Sequence, residues 1–134
     1  MWNEAESEAV RVQKIFRHNG TTGDALVQKF KTASREDVRL AAALRGYFLP
    51  DATDAEKALY YPYLVRRIRP AVTVLMEENR VADMETLEKQ NLFTPEMVDA
   101  FLQTAIEMRR SECIVWLLQR KDARYGYRDH DFRL

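Results

Sequence analysis

The sequence predicts an all-α protein in which seven or eight short helices form antiparallel pairs. These pairs would stack as a short solenoid or pack as a compact bundle. Apolar residues recur at three- and four-residue intervals along most of the chain, which is the period of an α-helix. Turn-forming residues interrupt that pattern at short distances. Strand signals are sparse, because the one Asn-Gly pair, Asn19-Gly20, lies between helical patterns.

The composition is that of a soluble globular protein. The chain has 134 residues, the length of one ordinary domain, so a single domain over residues 1–134 is predicted. Hydrophobic residues make up 46% of the chain and charged residues 31%, which provides enough apolar side chains for a core. The 21 basic and 21 acidic residues cancel, and this balance argues against nucleic acid as the partner.

The cysteine content and the first residues predict a cytoplasmic protein. Cys113 is the only cysteine, so no intramolecular disulfide can form. Residues 1–6 are acidic and lack the apolar stretch of a signal peptide. Nowhere do about 18 apolar residues run together, as a membrane-spanning helix would require. We therefore expect no membrane association.

The first helical pattern belongs to the amino-terminal half, residues 1–69. Asn3 and Glu6 have the spacing of a capping box, and the apolar residues that follow predict a helix that ends near His18. Residues 19–23 contain two glycines and predict a loop. A brief second helix follows this loop.

A third helix and a proline corner complete this half. Ser34 is predicted to cap a third, alanine-rich helix, and Gly46 is predicted to end that helix in a left-handed conformation. The next helical pattern meets Pro62, where its continuity is doubtful because proline lacks an amide proton. We predict two short helices that meet at a proline corner between Pro62 and Pro70. A further helix should end near Asn91.

The segment that begins at Thr94 predicts two helices folded back on each other. Thr94 can cap the first helix, with Pro95 at its first position. Arg109 and Arg110 form a polar break, and Ser111 can cap the second helix. The short connection favours antiparallel packing. The apolar residues predicted to face each other are Met97, Val98, Phe101, Leu102, Ala105 and Ile106 in one helix, and Cys113, Ile114, Leu117 and Leu118 in the other.

The stretch from Ala105 to Leu118 resembles the helix-turn-helix portion of an ankyrin repeat. In that family an alanine-rich helix end, a tight turn and an Ile-Val-x-Leu-Leu-Leu helix recur about every 33 residues. Ala105 and Ile106 stand at the alanine pair, and residues 113–118 stand at the pattern of the second helix.

A shift of 30 residues superimposes residues 76–87 on residues 106–117. The matched pairs are Met76 with Ile106, Glu77 with Glu107, Arg80 with Arg110, Met84 with Ile114, and Leu87 with Leu117. We interpret residues 70–121 as two ankyrin-like helix pairs and residues 122–134 as a tail. The resemblance implies a protein-interaction scaffold without catalysis.

The best candidate for a binding surface lies between residues 60 and 70. Tyrosine rings supply interface area, and guanidinium groups bind carboxylates or phosphates. The same tyrosines could instead seal a core, and the arginines could simply face water. The predicted partner-binding residues are Tyr60, Tyr61, Tyr63, Arg66, Arg67 and Arg69.

Catalytic and metal-binding groups are scarce. His18 and His130 lie at opposite ends of the chain, and Cys113 falls in a helical apolar stripe, where cysteine is typically a small buried hydrophobe. Asp129, His130 and Asp131 could supply metal ligands, but three adjacent residues converge poorly on one ion. We predict no catalytic residues, no metal site and no cofactor.

The function predicted from these features is a non-catalytic module that binds another protein. A homo-oligomer is compatible with stacked helices. The alternative is a regulatory nucleic-acid-binding helical domain, which a steep loss of binding with added salt would distinguish. An enzyme is the third option, because no catalytic pattern supports it.

Overall fold

The computed structural model describes residues 6–122, and this part of the chain forms eight α-helices. They are α1 Glu8–His18, α2 Gly23–Thr32, α3 Glu36–Tyr47, α4 Asp54–Arg66, α5 Ile68–Glu77, α6 Val81–Lys89, α7 Pro95–Met108 and α8 Ser111–Arg120. No strand occurs within residues 6–122. The predicted all-α fold of seven or eight helices is confirmed. None of the described helices is both long enough and apolar enough to span a membrane.

The contacts divide the chain into two compact units. The boundary lies inside α5, so that the amino-terminal unit ends at Val74 and the carboxy-terminal unit begins at Leu75. The amino-terminal unit contains α1 to α4, and the carboxy-terminal unit contains α6 to α8. The single domain expected from the chain length stays a prediction.

α3 is the centre of the amino-terminal unit. It packs against α1, α2 and α4. Ala41, Ala42, Ala43 and Leu44 have no exposed surface. Small side chains on several sides of α3 allow neighbouring helices to approach closely, which is the tight packing that its alanine content predicts.

Gly46 lies within α3, and the prediction that it ends this helix in a left-handed conformation is wrong. The helix continues to Tyr47. A Cβ atom at position 46 would lie 2.5 Å from both Cε2 and the hydroxyl oxygen of Tyr60. Tyr60 is itself only 1% exposed. Glycine is therefore required here by the close approach of a buried ring, which leaves no room for a side chain.

Four of the described helices, α1, α2, α4 and α7, begin with a side-chain cap. The Thr94 hydroxyl accepts a hydrogen bond from the amide of Met97 at 3.1 Å, which confirms the predicted start of α7. The Ser7 hydroxyl accepts from the amide of Val10 at 3.3 Å and caps α1. The capping box expected at Asn3 lies outside the described residues.

Two other predicted caps are wrong by one residue. α3 begins after Arg35 rather than Ser34, and α8 begins after Arg110 rather than Ser111. Neither arginine forms a side-chain capping hydrogen bond. In α3, a carboxylate oxygen of Asp37 accepts from a first-turn amide instead, so that a serine cap is not needed.

α4 continues through Pro62, so the interruption predicted there is wrong. The two helices meet at Arg67, between Pro62 and Pro70. Pro62 has no amide proton for the carbonyl of Ala58, but both residues are exposed, so water can bond that carbonyl. Buried side chains such as Leu64 contribute about 1.5–3 kcal/mol each, which offsets the roughly 3 kcal/mol cost of an interior proline.

α8 is the central helix of the carboxy-terminal unit. It contacts α6 and α7, and its Cys113 and Leu117 are fully buried. The short connection from α7 to α8 is confirmed, because it consists of Arg109 and an adjacent arginine. Ile106 and Leu118 were expected to face the partner helix, and this expectation is wrong: they are 48% and 42% exposed. Each lies on the side of its helix that points away from the buried residues.

Two helix junctions that are 30 residues apart share one backbone geometry. Asn79 and Arg109 both adopt a left-handed conformation, with φ angles of 58° and 60°. The amides of the next residues, Arg80 and Arg110, each donate to the carbonyl five residues earlier, at 2.8 Å and 3.0 Å. Such a bond closes a helix end and directs the chain into the next helix. The end of α1 has the same geometry, because Gly20 has a φ angle of 64° and the amide of Thr21 donates to the carbonyl of Phe16 at 2.9 Å.

Candidate protein-binding surface

α4 has apolar side chains on two opposite sides. Tyr60, Tyr63 and Leu64 are buried and attach the helix to the core. A second set recurs on the other side with the spacing i, i+3, i+4, i+7. One apolar side is enough to hold a surface helix, so the second set is free to contact a partner. We call this second set the outer face of α4, and it consists of Ala58, Tyr61, Pro62 and Val65.

The rotation of α4 is fixed by its start and by its buried rings. The Thr53 hydroxyl accepts from the amide of Glu56 at 3.1 Å, and the Glu56 carboxylate accepts from the amide of Thr53 at 2.8 Å. This capping box sets the first turn. Tyr60 and Tyr63 both pack edge-on against Phe30, with ring centroids 5.1 Å apart. These contacts keep the outer face directed outwards.

Tyr63 and Arg67 share one carboxylate oxygen. The Tyr63 hydroxyl donates to Oε1 of Glu36 at 2.6 Å, and Nε of Arg67 forms an ion pair with the same atom at 3.0 Å. Burial, followed by this hydrogen bond, raises the pKa of Tyr63 well above its ordinary value, so the phenol stays protonated at neutral pH. Arg67 is therefore paired with Glu36 at the surface, where both side chains remain about half exposed.

The six predicted binding residues are divided between the core and the surface. Tyr60 and Tyr63 are buried and contribute to the core. Tyr61 is half-buried, and the three arginines are exposed. The part of the predicted surface that a partner could reach is therefore Tyr61 with Arg66, Arg67 and Arg69. Its role in binding stays a prediction.

A depression of about 360 Å³ adjoins the outer face of α4. Tyr47, Lys57 and Tyr61 line it, together with Ala58 and Pro62 of the outer face. The rings of Tyr47 and Tyr61 lie 6.5 Å apart at an angle of 32°. Such a depression can accept an apolar side chain.

Two cations flank the outer face of α4. Lys57 and Arg66 are exposed and lie one at each end of it. Within residues 6–122, neither side chain forms an ion pair. The surface therefore combines apolar area with unneutralised positive charge, and it suits a segment that carries both apolar side chains and carboxylates.

Sequence reasoning did not assign Tyr47, Lys57 or Ala58 to the candidate surface, and it did not name Val65 among the binding residues of the segment 60–70. The spacing of the outer face was readable in the sequence, but only for a helix that continues past Pro62. Because an interruption was expected at this proline, the two ends of the outer face were not placed on one helix. Tyr47 comes from α3, and no local pattern connects it with α4.

Cys113 is buried, as its position in an apolar stripe predicts. Burial raises the pKa of its thiol to about 11, so the thiol stays protonated at neutral pH. Its sulfur donates to the side-chain oxygen of Asn79 at 3.5 Å. Among residues 6–122, no three metal-ligating side chains cluster. The tail residues Asp129, His130 and Asp131 lie outside the described part of the chain.

Comparisons with known proteins do not assign the chain to a family. No protein family, no curated protein and no solved structure matches it significantly. The ankyrin-like interpretation of residues 70–121 therefore stays a prediction.

Two tyrosine substitutions distinguish a paired hydroxyl from an unpaired one. Tyr63→Phe should lower the free energy of unfolding by about 1 kcal/mol, because it removes a hydrogen bond to the partly exposed Glu36 carboxylate. Tyr60→Phe should be neutral or slightly stabilising, because the buried Tyr60 hydroxyl has no hydrogen-bond partner within the described residues. Urea denaturation followed by circular dichroism measures both variants. Equal losses would contradict the assigned hydrogen bonds.

Proposed function

We propose that this protein is a non-catalytic binding module that recognises another protein through the outer face of α4. The observation that carries the proposal is the second apolar side of this helix. Ala58, Pro62 and Val65 are exposed at helical spacing although three other residues of α4 already fill the core. An apolar side that contributes little to folding is characteristic of an interaction surface.

The charges around the outer face indicate the chemistry of the partner. Lys57 and Arg66 lie at its two ends, and Arg69 is exposed just beyond α4. A second copy of this face would bring like charges together, because Lys57 would lie near Arg66 in an antiparallel pair. We therefore propose an acidic amphipathic segment as the ligand, with an apolar side chain in the depression between Tyr47 and Tyr61.

The burial of Cys113 supports the proposal that this module is not a catalyst. A cysteine nucleophile reacts as the thiolate and must be accessible. Cys113 has no exposed surface, and burial keeps its thiol protonated. A single unpaired cysteine is also compatible with the proposed cytoplasmic location.

Peptide selection tests the proposed function and does not require the partner to be identified first. Random 16-residue peptides are displayed and selected against the full chain, and the best binders are measured by fluorescence anisotropy. We expect acidic sequences with apolar residues at helical spacing. Val65→Asp should weaken their binding at least tenfold, because it places a negative charge in an apolar contact next to an acidic ligand.

The control is the same substitution at a different exposed aliphatic residue. Ile15 is 55% exposed on α1, outside the outer face of α4. Ile15→Asp adds the same charge and should leave the affinity unchanged. If Val65→Asp and Ile15→Asp have equal affinities, the outer face of α4 is not the binding surface.

The nucleic-acid alternative is tested with an oligonucleotide in place of the peptide. The exposed arginines near the end of α4 are the feature that would support it. Binding of a fluorescent single-stranded or double-stranded oligonucleotide would then fall steeply with salt, by the release of counterions. A stronger affinity for oligonucleotide than for the selected peptides, reduced by Arg66→Glu, would replace the protein-binding proposal.

A further inference from the structure

The 30-residue sequence match aligns Glu85 of α6 with Val115 of α8. In α6, Glu85 accepts a hydrogen bond from the indole nitrogen of Trp116 at 3.5 Å, so this position lies against α8, two helices further along the chain. Thirty residues later the same position of α8 is Val115. Val115 is 54% exposed. An exposed aliphatic side chain of α8 therefore occupies the position at which α6 contacts α8.

Val115 belongs to a stripe along the exposed side of α8. The stripe continues to Asp122, in the π-helical turn that follows α8, with spacings of four, three and four residues. Its centre is aliphatic and exposed, and its ends are polar. We call it the outer stripe of α8, and it consists of Ser111, Val115, Leu118 and Asp122.

The two ends of this stripe complement each other. The N-cap residue Arg110 forms no side-chain capping hydrogen bond, so the amides at the Ser111 end carry the positive partial charge of the helix beside the first-turn carboxylate of Glu112. The other end carries the exposed carboxylate of Asp122. In an antiparallel pair of identical stripes, Ser111 of one copy meets Asp122 of the other, and Val115 meets Leu118. Both contacts are favourable, and both occur twice.

A depression beside the stripe provides space for the opposing side chain. It measures about 410 Å³ and is lined by Val81, Val115, Trp116 and polar residues at its edge. Glu112 and Gln119 lie on this same edge, so in an antiparallel pair a carboxylate of one copy approaches an amide of the other. Leu118 of the second copy lies opposite Val115, where it can enter the depression.

We propose that the outer stripe of α8 binds a second copy of this chain, with the two α8 helices antiparallel. This self-association is separate from the proposed function, because it uses another helix and another ligand. A stable dimer typically buries about 800 Å² on each partner, and one helix side offers less. The expected dissociation constant is therefore micromolar or weaker.

Sedimentation equilibrium of the full chain tests the proposal. Between about 1 μM and 1 mM, the average mass should rise from 15.7 kDa towards twice that value. Val115→Asp should weaken association at least tenfold, whereas Ile15→Asp, at a residue of equal exposure on α1, should not. A monomer at all concentrations would overturn the proposal, and so would an equal effect of the two substitutions.

A mixture of two charge variants tests the antiparallel geometry. Ser111→Asp alone places two carboxylates together, and Asp122→Lys alone places a cation at a positive helix end, so each variant should associate at least fivefold more weakly than the wild type. Each change suits its own helix end and should preserve folding. In a mixture of the two variants, the carboxylate introduced at position 111 of one copy can pair with the ammonium group introduced at position 122 of the other. Association should then recover. No recovery would exclude the antiparallel pairing.

Discussion

Replacing Trp116 with alanine should lower the free energy of unfolding of the carboxy-terminal unit by about 3–5 kcal/mol. The indole is almost completely buried. The ring of Phe93 meets it edge-on at 6.5 Å, and the guanidinium group of Arg120 lies 5.9 Å from its centroid. Its nitrogen donates to Glu85 of α6, so one side chain connects three parts of this unit. Alanine would leave a cavity that these neighbours cannot fill.

Trp116→Phe is the matched control for this substitution. Phenylalanine keeps an aromatic ring between Phe93 and Arg120 but cannot donate to Glu85. We expect a loss of about 1–2 kcal/mol, mainly from the hydrogen bond and the smaller ring. Urea denaturation followed by circular dichroism measures both variants. A loss below about 1 kcal/mol for Trp116→Ala would show that the indole does not hold this unit together.

Hydrogen exchange of the same variant tests the prediction of a single domain. If residues 1–134 unfold as one cooperative domain, Trp116→Ala lowers the protection of α3 amides as much as that of α8 amides. If the two units open independently, the α3 amides keep their protection. The result decides whether the boundary between Val74 and Leu75 is also a boundary of stability.

The secondary structure was predictable wherever one local signal determined it. Thr94 and Pro95 define the start of α7, because a hydroxyl cap and a first-position proline act within one turn and need no distant contact. The caps predicted at Ser34 and Ser111 were wrong because a local signal was not sufficient there. Ser34 and Ser111 are suitable capping residues, but the conformation of the preceding chain decides which residue enters the helix first, and in α8 the left-handed Arg109 fixes that point.

The candidate surface was only partly predictable, because it depends on contacts between distant residues. The segment of residues 60–70 does contain Tyr61 and Arg66 at the surface. However, the burial of Tyr60 and Tyr63 follows from their packing on Phe30 of α2, about 30 residues earlier in the chain. The same packing carries α4 past Pro62. Without it, the outer face of α4 cannot be recognised as continuous.

A glycine near the end of a helical pattern, such as Gly46, has two physical explanations. They differ in whether the neighbouring Tyr60 ring determines the cost of a substitution. A glycine that ends a helix is needed for its backbone angles, whereas a glycine in close contact is needed for its missing side chain. Because the structure has the second arrangement, Gly46→Val should lower the free energy of unfolding by about 3 kcal/mol, near the upper end of typical overpacking costs. The Tyr60 ring is buried and cannot move aside. Thermal or urea denaturation measures the loss.

Gly23→Val is the matched control, since a Cβ atom there would meet only the carboxylate end of Glu56, at 3.0 Å. Moving this carboxylate costs at most its capping hydrogen bond to the amide of Thr53, so we expect a loss of about 1 kcal/mol or less. Tyr60→Leu then supplies the decisive comparison, because it removes the ring that Gly46 contacts. In the Tyr60→Leu background, Gly46→Val should cost at least about 1 kcal/mol less than in the wild type, which is the coupling expected for residues in contact. If the cost is the same in both backgrounds, the strain does not arise from the Tyr60 ring, and the explanation of Gly46 by close contact is wrong.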